Sequence, residues 1–516
     1  MKLVFVLFIL LNALLSAQEL LDEDTIFNSS DPIFDVEEQI NEDSKEKPHI
    51  HSSLESFHRY QHKNERYKSI NRLHTRYNNL DLKLLYIGEN IQPKSQFGGN
   101  ITYTPNQNNK LVLGQFQIHH GYGLLLSKSS FITAKPGFNT NYSKHITSLQ
   151  TNTRPYMSSS FFGIGYQTNF LNNFSLLTFS SYKETGISKT GNLTPNVIDP
   201  TDTINLSFSG IILNYKTKNI NINTNLNYSD FGTPMTTSTA VSYQYYDFLG
   251  FSELAWSNAK FANISGIKYQ QQRYTQTLAF RYFEPDYLTS FSNYVRNFSS
   301  GDNEQGLFYK VSYSDKSFFM QTFADIFSNI NNNERYMAKN SGVAWGIQLE
   351  KYSLFNLNEM SIKGSYREKH DKEWRNLSGI SKLEDRKREY YRLTWKQVDN
   401  DNLRTSLTYD YQVKQYPEYN INTVGYTVSG NINLKLNQLK INLIIGVFDT
   451  EMPLYLYLYS GRLNNPVYIL SGEGNFAMLH ISTRLSNNIQ IELMGNSIKK
   501  DDVEHSISLR LFYNSR

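Results

Sequence analysis

Between Asn219 and Tyr228 the chain reads N-I-N-I-N-T-N-L-N-Y, a strict alternation of polar and mostly apolar positions. Successive side chains of a β-strand point to opposite faces, so Ile220, Ile222, Leu226 and Tyr228 share one face and the asparagines the other. Such a strand has one apolar and one wet side. The same pattern recurs at Ile204/Leu206/Phe208, Tyr309/Val311/Tyr313, Leu407/Tyr409/Tyr411/Val413, Ile432/Leu434/Leu436 and Ile507/Leu509/Leu511/Tyr513. No helical period of useful length follows residue 68.

Short polar turns such as Asn172-Asn173, Asp399 to Asn402, Asn437-Gln438 and Asn487-Asn488 separate the strands. They alternate with longer connectors, polar, charged or rich in Gly, Asn and Ser, at 183–205, 284–304, 327–341, 366–388 and 461–474. Short turns at one end and long loops at the other describe a transmembrane β-barrel. With about 20 residues per strand and connector, the body from 68 to 516 makes roughly 22 strands. The predicted fold is therefore all-β: a transmembrane antiparallel β-barrel of roughly 20–24 strands. No repeat of about 40–50 residues supports the soluble alternative, a propeller.

The first residues do not belong to that fold. Met1-Lys2 supplies a positive start, Leu3 to Leu15 an apolar run, and Ser16-Ala17 a small-residue exit before Gln18, so 1–17 reads as a cleaved signal peptide. Residues 18–67 read as a short, acidic and mostly irregular periplasmic arm. Its segment 19–47 carries eleven acids against Lys45 and Lys47, while residues 48–516 hold 48 bases and 36 acids. The overall charge of +4 is thus a cancellation. The arm is a possible docking peptide for a periplasmic partner, although such a run is ordinarily a solvated linker.

Composition narrows the chemistry. Of 516 residues 37 are Tyr, 32 Phe and 4 Trp, as expected for rings that sit at a membrane–water boundary. A mean hydropathy of −0.50 excludes a bundle of membrane helices but not a barrel, which gives every second residue to water. Zero cysteines exclude disulfides, zinc ribbons, iron–sulfur sites and a thiol nucleophile. The histidines at 49, 51, 58 and 62 lie in a polar entry segment and read as solvated, and His119-His120 cannot chelate one ion from a strand. His480 and Ser482 share a face without an argued third group. No catalytic, metal or cofactor site is expected, and the chain is not expected to be an enzyme.

Several glycine-punctuated motifs carry a resemblance. Gly114-Gln115-Phe116-Gln117-Ile118-His119-His120-Gly121-Tyr122-Gly123-Leu124 is followed by Arg154-Pro155-Tyr156, then Arg281-Tyr282-Phe283 with Pro285 and Tyr287, then Asn303-Glu304-Gln305-Gly306. Phe448-Asp449-Thr450 and Gly472-Glu473-Gly474 come near the end. In order and spacing the body resembles the barrel portion of Bacteroidetes-type outer-membrane proteins that usually carry N-terminal helix-hairpin-helix repeats. Gln115, Tyr122 and Asn475 depart from that pattern. The leader and the barrel pattern already imply an outer-membrane location with lipid and lipopolysaccharide as partners, and the strand His505 to Tyr513, with Phe512 and Tyr513 near its end, is of the kind the barrel-assembly machinery recognises. The helix-hairpin-helix repeats are absent from 18–67, so nucleic acid is not an expected partner and DNA or polymer uptake rests on analogy alone. The same fifty residues are too few for the globular plug of an energy-coupled receptor.

The favoured functional expectation is a passive or gated conduit of unknown substrate. The alternative is a membrane anchor or scaffold for periplasmic or surface partners. A barrel this wide is not filled by its own wall side chains. Gly114, His119, Gly121, Gly123, Arg281, Asn303, Glu304, Gly306 and Asp449 are the candidate constriction and motif residues. In the charged stretch 366–388, read as a solvated hairpin tip, Lys369, Lys372, Arg375, Arg386, Lys387 and Arg388 are candidate contacts for lipopolysaccharide phosphates.

Overall fold

The computed structural model describes residues 50–515 except 62–64, 91–95, 127–135, 141–146, 153–159, 188–192, 195–201, 231–234, 258, 286, 288–295, 298–302, 331–339, 353–359, 378–379, 401, 458–466 and 500–502. The expected signal peptide, the acidic segment 19–47 and the motif Arg154-Pro155-Tyr156 lie outside the described residues.

Twenty-four antiparallel strands form one closed sheet, each bonded to its sequence neighbour, and two short strands, Ser148–Thr151 and Leu193–Thr194, lean on its rim. Closure comes from the first strand, Ile50–Gln61, which pairs on one side with Arg66–Tyr77 and on the other with the last strand, Val503–Ser515. Among the described residues the only helical element is the 3-10 turn Pro417–Tyr419.

The first strand corrects the expected boundary at 67/68, because the wall already begins at Ile50. Its outward positions are Ser52, Leu54, Ser56, His58 and Tyr60, of which only Leu54 and Tyr60 offer apolar bulk. The alternation is too weak there to be read. What fixes the strand is hydrogen bonding along both edges and Phe57 buried on the inner side.

The two ends of the barrel differ. Tight turns at Asn78-Asn79 and Asn437-Gln438 share one end with Ile50 and Ser515. Asn78 (φ 49°) and Asn437 (φ 48°) adopt the left-handed conformation such two-residue turns demand. Longer connectors, among them 120–160 and 284–303, occupy the other end.

The outer face is apolar, and the inner face combines polar positions with two buried apolar clusters. Along Ile220–Ser229, Leu226 and Tyr228 are exposed outward while Asn223, Asn225 and Asn227 are buried inward, as the alternation predicted. Leu278, Phe280, Leu307, Ile347, Leu393, Leu407, Ile445 and Leu493 continue the outward belt. A ten-residue strand tilted by ~45° spans about 23 Å, enough for such a belt. Rings border it on both sides. Phe248 and Tyr269 pack at 4.9 Å and Phe174 and Tyr215 at 4.9 Å near the tight turns. Trp345, Tyr366, Tyr391 and Tyr411 form a contiguous row toward the other end, with centroids 5.0, 4.7 and 5.8 Å apart. The closed, belted sheet is a transmembrane β-barrel.

The charged stretch 366–388 is not a loop tip. It forms two arms of a continuous hairpin, Met360–Leu377 and Ile380–Asn400, paired without interruption from Met360↔Gln397 to Leu377↔Ile380. Above the aromatic row the inner face of this hairpin carries a buried ionic network and the outer face is charged too, so charges replace the apolar alternation. Cross-strand ion pairs such as Asp371–Arg386 then do the work of side-chain packing.

Candidate luminal constriction

Gly114 is where one wall strand turns inward. Below it, Asn109–His119 pairs with Gln96–Asn106 and with Phe161–Phe170. Beyond it, Phe116 to His119 take Ser148–Thr151 in place of Gln96–Asn106, while Gln115 and Phe116 stay paired with Phe162 and Phe161. Gly114 has φ 99°, and a Cβ there would stand 2.5 Å from the Gly99 carbonyl oxygen, so only glycine fits.

The chain then folds into the lumen. Gly121 (φ 58°) and Gly123 (φ 91°) make the bends, and the turn closes through His120 N–H to Leu126 O (3.0 Å) and Gly123 N–H to His120 O (3.1 Å). Glu253, a fully buried carboxylate on the wall strand Phe248–Ser257, accepts the backbone N–H of Tyr122 at 2.6 Å and of Leu124 at 3.4 Å through Oε2. Leu124, Leu125 and Leu126 are buried in one cluster with Phe116, Phe161, Phe251, Phe283 and Phe308. The Tyr287 hydroxyl donates to Leu124 O at 3.1 Å.

A second inward turn, 136–140, is held from further round the wall. Lys310 Nζ donates to Phe138 O (2.5 Å) and Thr140 O (3.1 Å), and Arg367 donates to Pro136 O at 3.2 Å. Phe138 packs edge-on against Phe323 at 4.9 Å. The two turns are therefore tied to strands from Phe248–Ser257 to Met360–Leu377, and they fill that side of the lumen with apolar side chains.

Next to this filling lies a buried ionic network. Arg281 donates Nε to Glu304 at 2.6 Å and both terminal nitrogens to Asp325 at 2.6 and 3.0 Å. Asn297, from the connector after Tyr287, donates its N–H to Glu304 and its amide to Asp325, and accepts from Lys369 Nζ at 2.9 Å. Lys369 also meets Asp371 (3.2 Å), which takes a two-pronged contact from Arg386 at 2.8 and 2.9 Å and a further one from Arg388 at 3.0 Å. Forked guanidinium–carboxylate contacts are strong and directional, and a buried pair of this kind is costly to break from one side. Gly306, cross-strand from Arg281, makes room: a Cβ there would lie 2.4 Å from the guanidinium carbon.

Of the sequence candidates, Gly114, Gly121 and Gly123 shape the constriction, and His119 ends the strand that enters it, paired with Ser148. Arg281, Glu304 and Gly306 meet in the network. Asn303 stands beside it (φ 57°), accepting Ile330 N–H on its side-chain oxygen, and so joins two connectors. Asp449 is not luminal: it is exposed on the outward face, two residues from Val447.

The proposed lipopolysaccharide cluster also divides. Lys369, Arg386 and Arg388 point into the lumen, because alternation along the hairpin sends every second residue inside. Lys372 and Lys387 are outward but already paired, Lys372 with Asp385 and Lys387 with Glu368 and Glu389. The Arg375 side chain lies outside the described residues. Sequence reasoning missed Glu253, Asp325, Asn297 and Lys310. For Glu253 one signal was present, since it is the only acid in its strand and sits at an inward position.

No family model and no curated protein matches the chain. Among solved structures the barrel is similar to the copper transporter OprC (7% identity, 91% of this chain and 84% of that chain, TM-score 0.47). It is also similar to the FrpB iron transporter from Neisseria meningitidis, F3-3 variant (10%, 91% and 82%, 0.47), and to the siderophore receptor PirA from Pseudomonas aeruginosa (8%, 92% and 82%, 0.46).

Proposed function

We propose that this barrel is a gated conduit of the outer membrane, with the inward turns 120–126 and 136–140 as its constriction. We further propose that it is a relative of the Bacteroidetes-type barrels whose motifs it shares. The observation that carries the reading is the pinning of Tyr122 and Leu124 on Glu253. A wall carboxylate, buried and aimed at two backbone N–H groups of one inward turn, holds that turn at a defined place in the lumen. The opposite wall is different in kind. From Met360–Leu377 to Ile421–Leu436 most inward positions are polar, with Asn431 and Asn433 partly exposed and Thr394, Asp410 and Thr427 buried, while on the next two strands Ile444, Phe448, Phe476 and Met478 belong to a second buried apolar cluster. A lumen packed with apolar side chains in two clusters and lined with wettable ones on the strands between them leaves its water path along that stretch of wall.

The test is conductance of the purified full chain in planar bilayers. Discrete current steps that close and reopen are expected. A barrel inserted in the bilayer that carries no current at any voltage refutes the conduit and favours the scaffold reading.

A further inference from the structure

The tight-turn end of the lumen carries an unbalanced charge along the wettable wall and the two strands beyond it. Six consecutive strands run from Met360–Leu377 to Val467–Arg484, and each places one cation on the inner face close to the tight-turn end: Lys363, Lys396, Arg404, Lys435, Lys440 and Arg484. Their facing follows from their neighbours. Ile362, Leu393, Leu407, Leu436, Ile445 and Leu479 are exposed outward at odd separations from these cations, while Thr394, Asp410, Asn442 and Ser482 are buried inward at even ones. All six cations are exposed except Lys363, which is half-buried. Among the described residues the one ion pair any of them makes is Lys363 with Glu350, at 3.8 Å.

Adjacent strands lie about 4.8 Å apart, and charges in water are screened over roughly 8–10 Å. The six cations therefore repel one another, and nothing on the described wall relieves most of that repulsion. The upper part of the same wall is built otherwise. There Asp371 answers Lys369, Arg386 and Arg388, and Asp410 answers Arg392 at 2.6 Å. A row of cations with a single carboxylate partner among the described residues concentrates mobile anions, as basic rings do in anion pores.

We infer that the water path of this barrel selects small anionic solutes, with the basic strip at its tight-turn mouth as the selectivity element. The inference rests on the conduit reading above, and one experiment separates their failures. Reversal potentials of the full chain are measured in bilayers under a potassium chloride gradient. A chloride-over-potassium permeability ratio of about 3 or more is expected, falling at least about twofold in the variant Lys396→Gln/Arg404→Gln/Lys435→Gln/Lys440→Gln. These four side chains face water, so the variant keeps its fold, checked by heat-modifiable gel migration. Current without anion preference, or an unchanged ratio in the folded variant, overturns the inference and leaves the conduit standing. Absence of current overturns both.

Discussion

Replacing Glu253 tests the constriction most directly. Glu253→Ala removes the acceptor for Tyr122 N–H and Leu124 N–H while leaving both inside a closed cluster. A buried donor stripped of its partner costs about 1–3 kcal/mol, and the 3.4 Å bond is the weaker of the two, so the loss is about 2–4 kcal/mol. Opposing it is the burial of Leu124, Leu125 and Leu126, each 3% exposed or less. At about 1.5–3 kcal/mol per side chain this exceeds the loss. The inward turn is therefore loosened rather than expelled. At 1.4 kcal/mol per tenfold, opening becomes about 30- to 700-fold more frequent. Glu253→Gln retains an amide oxygen as acceptor and opens the turn far less. Because the chain has no cysteine, Leu125→Cys supplies a single thiol whose maleimide labelling from the aqueous phase reports opening. Labelling and open-state current must rise together in Glu253→Ala. An alanine variant indistinguishable from the parent, or from the glutamine variant, refutes the pinning role.

Other consequences follow from the same geometry. Gly306→Ala drives a Cβ into the Arg281 guanidinium and should cost about 3–5 kcal/mol by separating it from Asp325, read as a lower temperature of heat-modified gel migration; an unchanged transition argues against the network. Removing residues up to 49 should leave a closed barrel, whereas removing them up to 67 strips the strand that bonds both Arg66–Tyr77 and Val503–Ser515; protease resistance of the shorter chain would refute the closure. In the turn after Ser314, hydrogen bonds first from Ser317 N–H and then from the Tyr313 hydroxyl and Phe318 N–H lower the Asp315 carboxyl from its ordinary 3.8 to about 2. A depressed carboxylate contributes above its ordinary value, so this turn should loosen only as the pH falls from 3.8 toward 2, and a carboxyl titration with its midpoint at or above 3.8 contradicts the turn.

The barrel was legible because lipid and water ask opposite things of neighbouring residues, and Asn219 to Tyr228 answers both. Where one of those demands lapses, so does the signal. Residues 366–388 rise above the lipid, both faces are charged, the inner one in a buried ionic network, and a strand there looks like a loop. Ile50–Gln61 carries serines at outward positions and was absorbed into the arm. The wall anchor of the constriction was missed for another reason. Glu253 lies 131 residues from Tyr122 and 129 from Leu124, and no local pattern announces a contact of that range.

Arg281, Glu304 and Gly306 were found as weak motifs, and the structure gives their spacing a physical sense. Arg281 and Gly306 are directly cross-strand, and Asp325 is cross-strand from Phe308 on the next strand. A slip of one residue between these strands would turn a charge of the network toward lipid. A slip of two would keep its face but bring Phe308 or Glu304 opposite Arg281 in place of glycine, where the guanidinium needs the space. The buried ions thus specify register where the neighbouring outward positions, Leu278, Phe280, Leu307 and Tyr309, would tolerate either alignment. Asn297 makes that register also the seat of a connector, so the residues that align the wall are the ones that decide where the chain folds back over the lumen.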